Sequence, residues 1–189
     1  KMLLDCIVKY FPSPLNKPVY GKDLSNGEIV PVVYDSSKCM SAKVFKTLVD
    51  PFIGKYSFVK ICTGSLKPDT MIYNVNKETE EKLSKLYVLR GKEAIEVPEL
   101  KAGDIGAVAK INNISTGDTI ALKGAQVAYE SPEISIPYTY MRYKAVNKGD
   151  EDKIATALGK IMDEDLTVKS VTDSENRQTL LYGIGDQQL

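Results

Sequence analysis

The chain has 189 residues, enough for one large domain or two small ones, and its 43% hydrophobic and 26% charged shares are ordinary for a globular protein. Its 25 basic and 25 acidic side chains cancel, which excludes a whole-chain electrostatic grip on nucleic acid and leaves that task to local basic patches. Histidine is absent, so no Ser-His or Cys-His nucleophilic centre can be assembled from this chain.

No stretch has the apolar length of a transmembrane helix, and Met2–Phe11 runs into Pro12-Ser13-Pro14 rather than a small-residue cleavage site. Cys6, Cys39 and Cys62 are odd in number and lack metal-ligand spacing. The expected setting is a reducing cytoplasm without membrane attachment, and Cys62, inside a strand pattern, is expected to be a buried, inert thiol.

Met2, Leu3, Cys6, Ile7 and Tyr10 recur at helical spacing, so Lys1–Phe11 is predicted as a short amphipathic helix stopped by Pro12 and Pro14. A helix of this length needs a partner surface, and it reads as the last helix of something larger. Leu15–Lys38 is rich in turn formers (Asn16, Pro18, Gly21, Asn26, Gly27, Pro31) and reads as an irregular connector.

Three runs rich in β-branched and aromatic residues follow: Val44–Val49, Tyr56–Cys62 and Met71–Val75. Asp50-Pro51…Gly54 and Gly64–Asp69 separate them, the pattern of antiparallel strands joined by turns. Glu80–Arg90 reads as a returning strand, then Ala94–Val97, Ile105–Ile111 and Thr119–Leu122. Six or seven short strands at this spacing predict a β-barrel over about 29–128.

From Pro132 the pattern changes. Ile134, Ile136, Tyr138 and Tyr140 alternate and predict a strand with one buried face. Glu151–Met162 carries Ile154, Ala157, Leu158, Ile161 and Met162 on one helical face, with Asp150 as expected N-cap. Val168–Thr172 and Thr179–Ile184 form two strands around the turn Asp173–Arg177. The order β-α-β-β is the first part of a split βαβ, ferredoxin-like unit, so 129–189 is expected to be a truncated α+β domain. The missing helix would leave apolar surface near Leu180, Tyr182 and Ile184, with self-association as the consequence.

Motifs with chemical meaning are few. Asn147-Lys148-Gly149-Asp150 matches N-K-x-D, a guanine-reading signature in GTPases, but no G-x-x-x-x-G-K-[ST] loop accompanies it. A polar turn explains all four residues. Asp163-Glu164-Asp165 at a helix end does not converge on one point, so a solvated end is preferred over a metal site. Asn113-Ile114-Ser115 is a sequon without meaning in an unsecreted chain. Tyr138, Tyr140, Tyr143 and Tyr182 suggest base stacking, but strand alternation makes sheet packing the preferred reading. Lys82, Lys85, Arg90 and Lys92 form a local basic cluster on or near one hairpin, able to meet phosphates. Glu78, Glu80, Glu81 and Glu93 are interleaved with them, and on this pattern alone a salt-laced solvated face is the preferred reading. No catalytic, cofactor or metal residues emerge.

Several phrases together resemble the translational GTPases of the elongation factor G family, nearest to the bacterial elongation factor G-like paralogues. Leu3-Leu4-Asp5…Phe11-Pro12-Ser13-Pro14 resembles the end of that family's GTP-binding domain. Val44-Phe45-Lys46-Thr47…Asp50-Pro51…Gly54-Lys55, Gly64-Ser65-Leu66, Glu99–Val108 and Thr116-Gly117-Asp118-Thr119 resemble its second domain, and Leu89-Arg90-Gly91-Lys92-Glu93 leans toward the paralogues. Asp152-Lys153…Ala157-Leu158…Glu164-Asp165 and Gln178-Thr179…Gly183-Ile184-Gly185 resemble its third. The family's Gly-Met-Gly-Glu-Leu-His-Leu stands here as Gly183-Ile184-Gly185-Asp186-Gln187-Gln188-Leu189, with Gln188 in place of the histidine.

The resemblance implies that 1–28 closes a GTP-binding domain and connects it, that 29–128 is a domain-II barrel and that 129–189 is part of domain III. It implies ribosome-dependent GTP hydrolysis by a parent whose GTP and magnesium site lies outside this chain. This chain would act without catalysis, its barrel docking on the parent's GTPase domain and on small-subunit RNA of the ribosome. Ribosomal protection or recycling within the same family remains an alternative to translocation, as does a stand-alone interaction module.

Overall fold

The computed structural model describes residues 1–50, 54–125 and 127–189. Helix α1 (Met2–Tyr10) forms where the apolar spacing predicts it, and every residue in it is exposed. The span predicted as an irregular connector instead holds strands β1 (Val19–Asp23) and β2 (Ile29–Val32), which form an antiparallel hairpin. The turn formers Asn26 and Gly27 lie in the hairpin loop, where Gly27 donates to the Asp23 carbonyl at 2.8 Å. Pro31 is tolerated because β2 is an outer strand of its sheet, where a missing donor costs no ladder bond.

The long strands β3 (Ser41–Asp50) and β4 (Gly54–Thr63) pair from Ser41↔Thr63 to Asp50↔Gly54. Pro51, assigned to their turn from sequence, lies outside the described residues. A register shift between Val44 and Lys46 marks a bulge at Phe45, which bends β3. Then come β5 (Ser65–Leu66), β6 (Met71–Asn74), β7 (Thr79–Lys82), β8 (Leu86–Arg90), β9 (Glu93–Val97), β10 (Leu100–Lys101), β11 (Ile105–Ala109), β12 (Thr119–Ala121) and β13 (Val127–Tyr129).

The single strand predicted over Glu80–Arg90 is two. Leu83 and Leu86 are both fully buried, and an odd spacing of three cannot put both on one face of a continuous strand. The chain therefore breaks between them, with the Leu83 amide donating to the Thr70 carbonyl at 2.9 Å. β7 stays with β6, whereas β8 joins β9 and β11.

The resulting eight-stranded sheet runs β7-β6-β12-β3-β4-β11-β8-β9, flanked by a β13-β1-β2 sheet and the short β10-β5 pair. Val44, Val59, Ile61, Leu66, Ile72, Leu86, Leu100, Val108 and Ile120 share one buried cluster. Side chains from β6 near one end of the strip and β8 near the other meet there, so the strip curls round its core as a barrel does. Cys62 is buried in a second cluster with Val32 and Tyr129, and burial pushes its thiol pKa up, which keeps it unreactive.

Strands β14 (Thr139–Tyr143), β15 (Lys169–Asp173) and β16 (Gln178–Gly183) form a separate antiparallel sheet in the order β14-β16-β15, and helix α2 (Glu151–Glu164) connects β14 to β15. This is the split βαβ order: β16 lies between the two strands that the helix connects. The buried-face strand expected from Ile134 does not form. Pro137 has no donor, β14 starts only at Thr139, and Ile134, Ile136, Tyr138 and Tyr140 all face solvent. Of the expected apolar helix face, Ile154, Leu158 and Met162 are half-buried while Ala157 and Ile161 are exposed. Leu180, expected to be exposed, is 7% exposed, although Ile184 does face solvent.

Gly64 adopts φ +67°, and a Cβ there would sit 2.6 Å from the Lys38 carbonyl oxygen and from Met40 backbone atoms. Gly159, inside α2, has nothing within 4 Å of its would-be Cβ. Gly64→Ala is expected to lower stability by about 2 kcal/mol or more, whereas Gly159→Ala raises it by about 0.5–1 kcal/mol. Urea unfolding of the two variants checks both signs.

Candidate functional site

Two regions of the surface combine charge with placement: the junction between the barrel and the α+β unit, and the basic side chains predicted to meet RNA.

The junction is made by the last turn of α2. The Glu164 carboxylate accepts the Val49 amide of β3 at 2.5 Å, and Lys55 of β4 pairs with Asp163 at 3.2 Å. The Lys55 side chain is only 15% exposed. Two carboxylates at a helix C-terminus oppose the helix dipole, and partners on the neighbouring domain offset that cost. The acidic run read from sequence as a solvated end is thus partly a clasp. Its third member, Asp165, accepts from the Thr167 amide and hydroxyl and from the Gln188 amide group. Those hydrogen bonds, Thr167 foremost, hold the Asp165 carboxyl below its ordinary value of 3.8.

Gln188 links three places at once. Its Nε2 donates to Asp165 Oδ2 at 2.7 Å and to Thr167 Oγ1 at 2.8 Å, and its Oε1 accepts the Ile184 amide at 2.7 Å. It ties the exit of β16 to the turn after α2. A neutral amide that donates and accepts simultaneously suits this position at any pH.

The four predicted RNA contacts do not share one hairpin. Lys82 ends β7 in the β6–β7 hairpin, with Nζ 3.0 Å from Asp69. Lys85 lies between β7 and β8 and pairs with Glu96 at 2.7 Å, a bond that raises its pKa. Arg90 pairs with Glu93 at 3.1 Å, and Lys92 follows in the β8–β9 turn. The two hairpins stand at opposite ends of the eight-strand order. All four side chains are exposed, and solvent screening leaves the Lys82, Lys85 and Arg90 pairs weak.

The N-K-x-D stretch closes on itself. Asn147 donates to Asp150 at 3.3 Å, Lys153 pairs with Asp150 at 2.8 Å, and the Gly149 amide donates to Glu151. Asp150 occupies the N-cap position but makes no side-chain capping bond, because Lys153 and Asn147 hold its carboxylate and keep its pKa low. Among the described residues no group of three His, Cys, Asp or Glu side chains is placed to hold a metal.

The phrases that carried the resemblance prove to be structural. Gly117 takes φ +97° and donates to the Val44 carbonyl at 2.8 Å, so the turn folds back onto β3. Asp118 Oδ2 then accepts from Asn74 at 2.8 Å and the Ser115 amide at 2.9 Å, with Lys77 Nζ 3.1 Å away. In the other phrase, Gly103 donates to the Ile61 carbonyl at 2.8 Å while Ile61 donates to Asp104 at 2.9 Å. Asn74, Asn76 and Lys77 could not be singled out from sequence, because their only signal is an ordinary polar turn.

The family profile for elongation factor G domain 2 matches residues 39–123, and that for elongation factor G domain III matches 134–189. The chain belongs to the elongation factor G family. It carries the second and third domains of such a translation factor, as the barrel-like sheet and the split βαβ unit agree. A crystal structure of a Thermus thermophilus protein is similar over 98% of this chain at 26% identity, with a TM-score of 0.73. The match covers 26% of that protein, so this chain spans about a quarter of its length.

The depressed pKa of Asp165 has a sign. Its stabilising contribution is full above the ordinary carboxylate value and is lost as pH falls through the lower folded value. Asp165→Asn is expected to lower stability at neutral pH and to flatten the loss of stability below about pH 4. Circular dichroism across an acid titration of the two proteins measures it.

Proposed function

We propose that this chain is the non-catalytic docking part of a ribosome-dependent elongation factor G-like GTPase working in the cytoplasm. Nucleotide chemistry would belong to a GTP-binding domain elsewhere in the complete protein, where GTP and magnesium would bind. The barrel docks on that domain and on small-subunit RNA, with Lys82, Lys85, Arg90 and Lys92 supplying cations to phosphates. The observation that carries this reading is the pair of consecutive family matches, domain 2 then domain III, on two folded units joined through Val49, Lys55, Asp163 and Glu164. No helix among the described residues is long and apolar enough to cross a membrane.

Such a clasp suits a mechanical part. Polar contacts such as the Val49–Glu164 hydrogen bond and the Lys55–Asp163 pair register the two domains and can exchange with water under load. Whether the complete factor performs translocation, ribosomal protection or recycling would be decided outside this chain.

Sedimentation of the complete protein with ribosomes, using a non-hydrolysable GTP analogue, tests the reading. Nucleotide-dependent co-sedimentation is expected, weakened by charge reversal at Lys82, Lys85, Arg90 and Lys92. No association in any nucleotide state would favour a stand-alone interaction module instead.

A further inference from the structure

A groove of about 530 Å³ opens where the end of β14, the first turn of α2 and the β15–β16 turn come together. Arg142, Lys144 and Arg177 line it from two separate segments, and none of them has a carboxylate partner among the described residues. This differs from the predicted basic cluster, where Lys82, Lys85 and Arg90 are each paired. The same groove contains two carboxylates, Glu151 and Asp152. Glu151 is turned back onto the Gly149 amide at 2.7 Å, whereas the Asp152 carboxylate takes no hydrogen bond among the described residues. Tyr143 forms part of the wall, its hydroxyl held by Ser170 at 3.0 Å.

We propose that this groove binds the backbone of an RNA strand, a partner class that rests on the ribosomal reading above. Two guanidinium groups and an ammonium match phosphodiester oxygens, the arginines by paired donors. A free phosphate or a DNA backbone would meet the same cations but would find Asp152 only repulsive. RNA differs because each ribose carries a 2′-hydroxyl donor, and a carboxylate beside the phosphate track accepts it. The mixed lining, cations for phosphate and an unengaged acceptor for a sugar hydroxyl, therefore selects RNA. The contact is independent of base sequence.

The test measures binding of the 189-residue chain to a short single-stranded RNA, to DNA of the same sequence and to inorganic phosphate across a salt series. RNA is expected to bind more tightly than DNA, with phosphate weakest. Arg142→Gln/Arg177→Gln should weaken RNA binding about tenfold and reduce the salt slope by about two. Asp152→Ala should strengthen DNA binding and bring the two nucleic acids to parity. All three side chains are exposed, and unchanged circular dichroism verifies that the variants remain folded. Equal wild-type affinity for RNA and DNA, or a double variant with unaltered affinity and slope, overturns the proposal. RNA binding in this groove by a protein that never associates with ribosomes would uphold the groove and sink the ribosomal reading. Ribosome association untouched by the double variant, with no loss of oligonucleotide binding, would do the reverse.

Discussion

The barrel depends on one carboxylate. Asp118 is 8% exposed, and a single oxygen of it gathers the Asn74 amide, the Ser115 backbone and the Lys77 ammonium. Its own carbonyl accepts the Val44 amide of β3 at 2.9 Å, and the next residue, Thr119, accepts from the Val75 amide through its carbonyl and from the Tyr129 amide through its hydroxyl. Three other segments, at Val44, 74–77 and Tyr129, thus meet at two consecutive residues. A buried charge without partners costs several kcal/mol, so each partner it lacks would be felt directly. The short β12 strand can seat between β3 and β6 because this network fixes where its turn must lie.

That constraint explains what could be read from the chain. The long strands β3 and β4 were visible because alternation and β-branched content persist over ten residues each, and the helix α2 because Ile154, Leu158 and Met162 recur at helical spacing. Shorter strands are legible only in part: β6, β9, β11 and β12 fall on apolar runs, whereas β5, β10 and β13, of two or three residues, offer too few periods, and β1 and β2 are hidden among the turn formers around them. The Ile134–Tyr140 alternation misled in the opposite direction. Its period is right for a strand, but Pro137 removes a donor and no neighbour supplies a covered face. Periodicity reports which residues share a side; it does not report whether anything packs there.

The candidate sites were less legible than the fold. Lys82, Lys85, Arg90 and Lys92 cluster in sequence, yet the split at Leu83 sends them to different hairpins. Asp163 and Glu164 looked like solvated charge because their partners, Lys55 and the Val49 amide, lie more than a hundred positions away in sequence. The cations of the domain III groove were unremarkable in the sequence for the same reason: Arg142 and Arg177 are far apart until β14 and β16 pair. Family resemblance pointed to the two kinds of domain, whereas only the fold could say which charges are engaged and which are free.

The family phrase Thr116-Gly117-Asp118-Thr119 is, on this account, a structural knot rather than a binding motif. A double-mutant cycle on Asn74→Ala and Asp118→Ala, followed by denaturant unfolding, tests that most directly. Each single change should cost about 1–3 kcal/mol, and the pair should fall short of additivity by about 0.5 kcal/mol or more, as expected for groups sharing one network. Additive losses within error, or an Asp118→Ala protein with an unchanged midpoint, would show that the barrel stands without its knot.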